Sequence, residues 1–130
     1  MSDVSVGQLM STELVTVGVD ATAAEAAQRM LDTRVNAVLV VDGTGRLEGL
    51  LTGTDFVTLV RENDPADRTP VGTCMTTDVV TASRTDAVES LTELGGGEYT
   101  HVPVTDHERV VVGMLSTTDL TRHLAKKRRE

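Results

Sequence analysis

The sequence predicts an α+β fold in which one β-α-β-β-α unit is built twice, and three observations carry that prediction. Residues 23–60 align without a gap on the second half, pairing Glu25 with Glu89, Val38 with Val102, Val40 with Val104, Asp42 with Asp106 and Leu51 with Leu115. Within each copy the apolar pattern switches between strand and helix periods in the order strand, helix, strand, strand, helix. Each copy then closes on the same stretch, Gly49-Leu50-Leu51-Thr52-Gly53-Thr54-Asp55 and Gly113-Met114-Leu115-Ser116-Thr117-Thr118-Asp119. Two copies are too few for a solenoid, so they read as two equivalent halves.

In the first copy, Ser5 caps a short helix through Met10, and Leu14-Val15-Thr16-Val17 is extended. Thr22-Ala23-Ala24-Glu25 is a capping box, after which Ala23, Ala26, Ala27, Met30 and Leu31 fall on one helical face. The β-branched run Ala37 to Val41, the turn Asp42-Gly43-Thr44-Gly45 and the return Leu47 to Leu51 form a hairpin. Phe56, Leu59 and Val60 mark the buried stripe of a closing helix. The stretch 63–70 holds two prolines and little apolar content, so it links the copies.

The second copy repeats the plan with a helix from Asp86 to Leu94, a hairpin from His101 to Thr105 and Val110 to Leu115, and a last helix from Ser116 to about Lys127. Nearer the start, Val6-Gly7 matches Val71-Gly72, Met10-Ser11-Thr12 matches Met75-Thr76-Thr77, and Val15-Thr16 matches Val80-Thr81. Those matches lie one residue further apart, which places a one-residue deletion between Ala82 and Asp86. Gly95-Gly96-Gly97 has no counterpart, and reads either as a slack helix end or as a loop that orders on a ligand.

A chain of 130 residues with 39% hydrophobic content buries one compact core or two small halves. With no apolar run of membrane length and no leader-like start, the chain reads as soluble and cytoplasmic. Its single cysteine, Cys74, follows an apolar pattern and reads as a packing residue rather than a reactive thiol. A net charge of −8 argues against nucleic acid or an anionic membrane as partner. The exception is the tail, Lys126-Lys127-Arg128-Arg129, which either solvates a helix end or docks an acidic partner.

Thr52 and Ser116 stand where an apolar strand stops and an amphipathic run begins, with Asp55 and Asp119 three residues on, so helix capping is one reading of both corners. The other starts from the amides and positive dipole of a helix N-terminus, beside hydroxyls and a carboxylate able to bind a sugar diol. Together these groups suit a nucleoside phosphate. His101, His107 and His123 are scattered and form no nucleophile–base or metal-ligand set, and two copies of one acid do not make complementary acid and base, so neither a catalytic residue nor a metal site is read.

The order and spacing of these features resemble a tandem pair of CBS domains. The residues that carry the likeness are Met10-Ser11 and Met75-Thr76, the V-T before the first helix, Val102-Pro103-Val104 ending in Asp106, and the doubled G-h-h-[ST]-x-x-D. It divides the chain into repeat 1 (4–62), a linker (63–70), repeat 2 (71–125) and a basic tail (126–130).

The resemblance implies two repeats packed with pseudo-twofold symmetry into one compact module, homodimers that form a disc of four repeats, and clefts for AMP, ADP, ATP or S-adenosylmethionine. It implies a regulatory module acting on a separate, unidentified protein. Carried over by position, Asp55 and Asp119 hold the ribose, and Thr52, Thr54, Ser116 and Thr118 reach ribose or phosphate. Thr16, Thr81 and the backbone at Val38 and Val102 flank the adenine. His101, just before Val102-Pro103, is the basic phosphate contact, and it makes the second cleft better equipped than the first, which has Ala37 and Leu39 there. No arginine stands inside either T-x-x-D segment, leaving Arg46, Arg109 or Arg122 to assist. That favours AMP-like or adenosyl ligands over magnesium-bound ATP, and the ribose acid disfavours NADP. The competing expectation is a ligand-free CBS-pair module for dimerisation, in which the corners only cap helices.

Overall fold

The structure, a computed structural model, describes residues 4–90, 101–116 and 119. Helices and strands are mixed as the repeat predicts: α1 (Val6–Leu9), β1 (Thr16–Gly18), α2 (Ala23–Thr33), β2 (Ala37–Val41), β3 (Leu47–Thr52), α3 (Gly53–Arg61), α4 (Val71–Cys74), β4 (His101–Thr105) and β5 (Val111–Ser116). Two compact units result, Leu14–Val79 and Met1–Glu13 with Val80–Glu130. Each opening helix therefore packs away from the copy whose sequence it begins. The Val71 and Gly72 amides of α4 donate to the Ala21 and Val19 carbonyls at 2.7 and 3.0 Å, and those of Val6 and Gly7 in α1 donate to Asp86 and Arg84 at 2.8 and 2.9 Å.

In the unit Leu14–Val79 the sheet runs β1-β2-β3, with β1 parallel and β3 antiparallel to the central β2. Its core joins Val17, Ala26, Val38, Val40, Leu51 and Val71, with Met30, Phe56, Cys74 and Met75 packed against it. A fully buried leucine such as Leu51 is worth about 2–5 kcal/mol against alanine. The α2 start forms the capping box that its sequence encodes: the Glu25 amide donates to Thr22 Oγ1 at 3.1 Å and the Thr22 amide to Glu25 Oε1 at 3.4 Å. The helix stops at Arg34, in the left-handed region at φ 58.

Two expected core residues lie outside. Leu31 is 74% and Val60 71% exposed, as is neighbouring Val57 at 69%. The apolar stripe of both helices is wider than the strip that their own unit covers: Ala23 and Ala26 on α2 and Leu59 on α3 are buried, while Leu31, Val57 and Val60 lie further round.

In the other unit β4 and β5 form an antiparallel hairpin, and Ala82 adds one parallel bridge to Val104. Val6, Ala82, Val88, Val102, Val104 and Leu115 make its core. Pro103 is tolerated inside this sheet because no ladder bond is asked of its nitrogen. Facing it, Met114 turns its amide and carbonyl to Ser11 instead, at 2.9 and 2.8 Å. Leu50 does the same with Thr76, at 2.9 and 2.8 Å, so a short hook covers the edge of each hairpin.

The position of the deletion is corrected by these bonds. Thr22 bridges Pro70 as Ala87 bridges Ser5, and the Ala23 amide donates to Thr69 as that of Val88 donates to Val4. Ala23 thus corresponds to Val88 and not to Ala87, and the lost residue falls after Val88. Helix begins at Val88 rather than Asp86, which lies in the preceding turn. The three glycines 95–97, most of the last helix and the basic tail lie outside the described residues. No described helix is long and apolar enough to cross a membrane.

Candidate functional site

Where β3 ends, Thr52 keeps an extended backbone (φ −125, ψ 176) and α3 starts at Gly53, so the first free amides of the helix open beside the strand end. Asp55, in the first turn, folds back. Its Oδ2 accepts from the Thr52 amide at 2.8 Å and, more loosely, from the Thr52 hydroxyl at 3.4 Å. Its Oδ1 accepts from the Thr76 hydroxyl at 2.9 Å. Thr54 beside it is exposed.

The second corner repeats the geometry with different weights. The Ser116 amide and hydroxyl donate to Asp119 Oδ2 at 3.1 and 2.9 Å, and the Asp119 amide returns a bond to Ser116 Oγ at 3.2 Å. Both acids are therefore turned back toward the last residue of the strand before them, Thr52 and Ser116. A carboxylate offers about four lone-pair positions, so capping does not exhaust its capacity to accept from a diol.

Cross-strand register decides which residues join these corners. Ala37 faces Thr52, and His101 faces Ser116, which brings His101 to the Ser116–Asp119 pair. Thr16 faces Leu39, on the next strand but one from β3, about 10 Å from that strand. Thr81 immediately precedes the Ala82 bridge. Val38 and Pro103 are fully buried and Val102 is buried, so only backbone is on offer there. The Pro103 carbonyl already accepts from the Ala82 amide at 3.0 Å. Thr118 lies outside the described residues.

Arg46 and Arg109 do not assist the corner of their own hairpin. The register runs from Ala37–Thr52 at one end to Val41–Leu47 at the other, so Arg46 lies at the turn, roughly 20 Å of strand away. Arg109 likewise lies in the turn of the second hairpin, and Arg122 lies outside the described residues. The cation nearest Thr16 is one the sequence does not single out, Arg29 of α2, whose guanidinium donates to the Thr16 carbonyl at 3.1 Å. Thr76 is a second such residue. The repeated Met10-Ser11 and Met75-Thr76 pairs mark the hooks, but spacing does not reveal where they pack.

Environment sets the protonation of two nearby groups. Burial pulls the His101 imidazole below its ordinary value, so it is neutral at neutral pH. Burial, then the charge of Asp55, pushes the Cys74 thiol up, and the half-buried Cys74 packs on the core margin as its sequence suggests. Among the described residues no group of three His, Cys, Asp or Glu gathers as a metal site. Hydroxyls, amides and a carboxylate are groups able to hydrogen-bond a polar hydroxylated ligand.

The model of the CBS domain matches this chain twice, over residues 6–62 and 71–126. The CBS domain-containing protein CBSCBSPB1 of Arabidopsis thaliana is 34% identical over 109 residues, which cover 82% of this chain and 20% of that protein, so the chain spans about a fifth of the relative's length. The crystal structure of the CBS domain pair of protein MJ0100, in complex with 5′-methylthioadenosine and S-adenosyl-L-methionine, superposes with a TM-score of 0.87 at 25% identity, covering 97% of this chain and 99% of that one. CBSX2 in complex with AMP superposes with a TM-score of 0.83 at 20% identity over 95% and 98%, a likeness of fold.

Proposed function

This chain belongs to the CBS domain family, and on that premise we propose that it is a regulatory CBS pair that binds an adenosine-containing ligand and alters a partner protein. The carrying observation is the doubled corner, in which a strand ends on a hydroxyl whose residue also bonds an acid three positions on, Thr52 with Asp55 and Ser116 with Asp119, with a helix N-terminus opening at the first. The adenosyl class is supported by the MJ0100 domain pair, solved with two such ligands.

Asp55 and Asp119 take the ribose hydroxyls. Thr52, Thr54, Ser116 and Thr118 serve ribose or phosphate, Thr16, Thr81 and the backbone at Val38, Val102 and Pro103 flank the base, and His101 meets a phosphate. Neutral His101 and the absence of arginine within Thr52–Asp55 and Ser116–Asp119 favour AMP-like charge over polyphosphate. The module is non-catalytic and cytoplasmic. Ligand that grips one arrangement of the corner better than another shifts the population toward it, and the partner reads that shift.

A second reading, a ligand-free dimerisation module, is favoured by the inward turn of both acids and by the exposed Leu31, Val57 and Val60. The two are compatible in a homodimer. A thermal-shift panel of AMP, ADP, ATP, S-adenosylmethionine and adenosine separates them: ligand at about a hundred times Kd adds about 2.7 kcal/mol. AMP or S-adenosylmethionine raises Tm, Asp119→Ala removes most of the shift, and Asp55→Ala removes less. Flat melting across the panel leaves the dimerisation module alone standing.

A further inference from the structure

We propose that Thr76 is a built-in competitor for the first corner: its hydroxyl occupies Asp55 Oδ1, and a ribose that uses both oxygens of this acid has to displace it. The inference rests on the reading of Asp55 as the diol-binding acid and deepens it from binding to regulation and specificity.

Asp55 divides its acceptors sharply. Oδ2 is committed to the helix start through the Thr52 amide at 2.8 Å, whereas Oδ1, among the described residues, is held by Thr76 alone, at 2.9 Å. A vicinal diol donates two hydrogen bonds and spreads them over both carboxylate oxygens, so Oδ1 is where it meets least resistance from the fold and most from Thr76. The Thr76 main chain is not free to withdraw. Its amide and carbonyl pair with Leu50 at 2.8 and 2.9 Å, and Met75 packs so closely over Gly49 that a Cβ there would lie 2.6 Å from its Sδ. Only the Thr76 side chain can yield, by rotating its hydroxyl off the carboxylate. Thr76 is exposed, so the freed hydroxyl returns to water. Displacement therefore takes one charge-assisted hydrogen bond from the binding free energy and leaves the hook in place.

Thr76 also belongs by sequence to the start of the second copy, while the acid it holds belongs to the first. Occupancy of the first corner is thus read at the exit of the linker through one hydroxyl rotor.

The test is calorimetric titration of the full chain with AMP and with 2′-deoxy-AMP, in an Asp119→Ala background that silences the second corner. Thr76→Val keeps the branched shape and removes the hydroxyl; Thr76→Ser keeps the hydroxyl. Thr76→Val should bind AMP about five-fold more tightly, and 2′-deoxy-AMP, which offers a single ribose hydroxyl, less than two-fold. Thr76→Ser should match the parent. Thr76→Ala repeats the measurement should the valine variant fail to fold. Unchanged or weaker AMP binding by Thr76→Val, or equal gains for both nucleotides, overturns the competition. If Asp55→Asn leaves AMP binding intact, the diol reading itself falls, and no AMP binding by any variant overturns both.

Discussion

The first copy ties its opening strand to its hairpin with a three-residue ladder, Thr16–Leu39, Val17–Val40 and Gly18–Val41, whereas the second holds on by the Ala82–Val104 bridge. The hairpins themselves match residue for residue, Ala37–Thr52 against His101–Ser116 and Leu39–Leu50 against Pro103–Met114. The difference sits at one nitrogen. Leu39 donates its amide to the Val15 carbonyl at 3.0 Å, and Pro103, in the same place, has no N–H to offer Val80. What survives is the part of the ladder that bypasses that nitrogen, the Ala82 amide to Pro103 and the Thr105 amide to Ala82, at 3.0 and 2.9 Å. Duplication therefore preserved the corner and changed how firmly the strand beside it is held: Thr16 sits inside a ladder and Thr81 outside one.

The sharpest way to break this comparison is to exchange the residue. Leu39→Pro removes a ladder bond from the central strand and a fully buried side chain, so it should cost roughly 3 kcal/mol or more in urea unfolding. Pro103→Leu restores a donor at the cost of repacking, and should stay within about 1.5 kcal/mol of the parent. The amide gained at position 103 should exchange slowly with solvent. Equal losses for the two variants, or fast exchange at that amide, would sever the strand difference from the proline.

A smaller effect sharpens the same comparison at the far end of the hairpins. Asp42 Oδ1 accepts the Thr44 and Arg46 amides at 2.8 and 3.0 Å, and Asp106 Oδ1 those of Glu108 and Val110 at the same distances. The Thr44 hydroxyl, then those amides, hold the Asp42 carboxyl below its ordinary value. The turns need one left-handed residue, and the copies fill that place differently, with Gly45 at φ 88 and Arg109 at φ 70. Gly45→Arg should therefore lose about 1–2 kcal/mol, and Arg109→Gly should gain less than about 1 kcal/mol. Matching changes of the same sign in urea midpoints would show that the two turns do not share this strain.

Much of this organisation is legible in the residues. The doubled hairpin, the Thr22–Glu25 capping box and the Thr52–Asp55 and Ser116–Asp119 bonds follow from local spacing, because each is closed by groups three residues apart. What spacing does not carry is destination. Met75-Thr76 and Met10-Ser11 announce a repeated element, yet the packing of α4 with the first copy's sheet depends on contacts across the linker, and with it the Thr76–Asp55 bond. The deletion is misplaced by sequence because Ala23 and Glu25 match Ala87 and Glu89 in type; only the bonds from Ala23 and Val88 fix the register. Leu31 and Val60 fit the helical period, but a period gives the width of an apolar face and says nothing about what covers it.

The smallest expected effect belongs to the residue by which the second corner most differs from the first, His101 where the other copy has Ala37. Burial depresses the folded-state value of this imidazole below 6.5. For a depressed group the stabilisation is present above the unfolded value and is lost as pH falls through the folded one, because the unfolded chain takes up its proton first. Stability should thus decline on going from about pH 7 to about pH 5 more steeply in the parent than in His101→Ala, as read from urea midpoints. Parallel pH profiles would mean that the imidazole is as well solvated in the folded chain as in the unfolded one. The preference of the second corner for AMP-like charge would then lose the support it draws from a neutral His101.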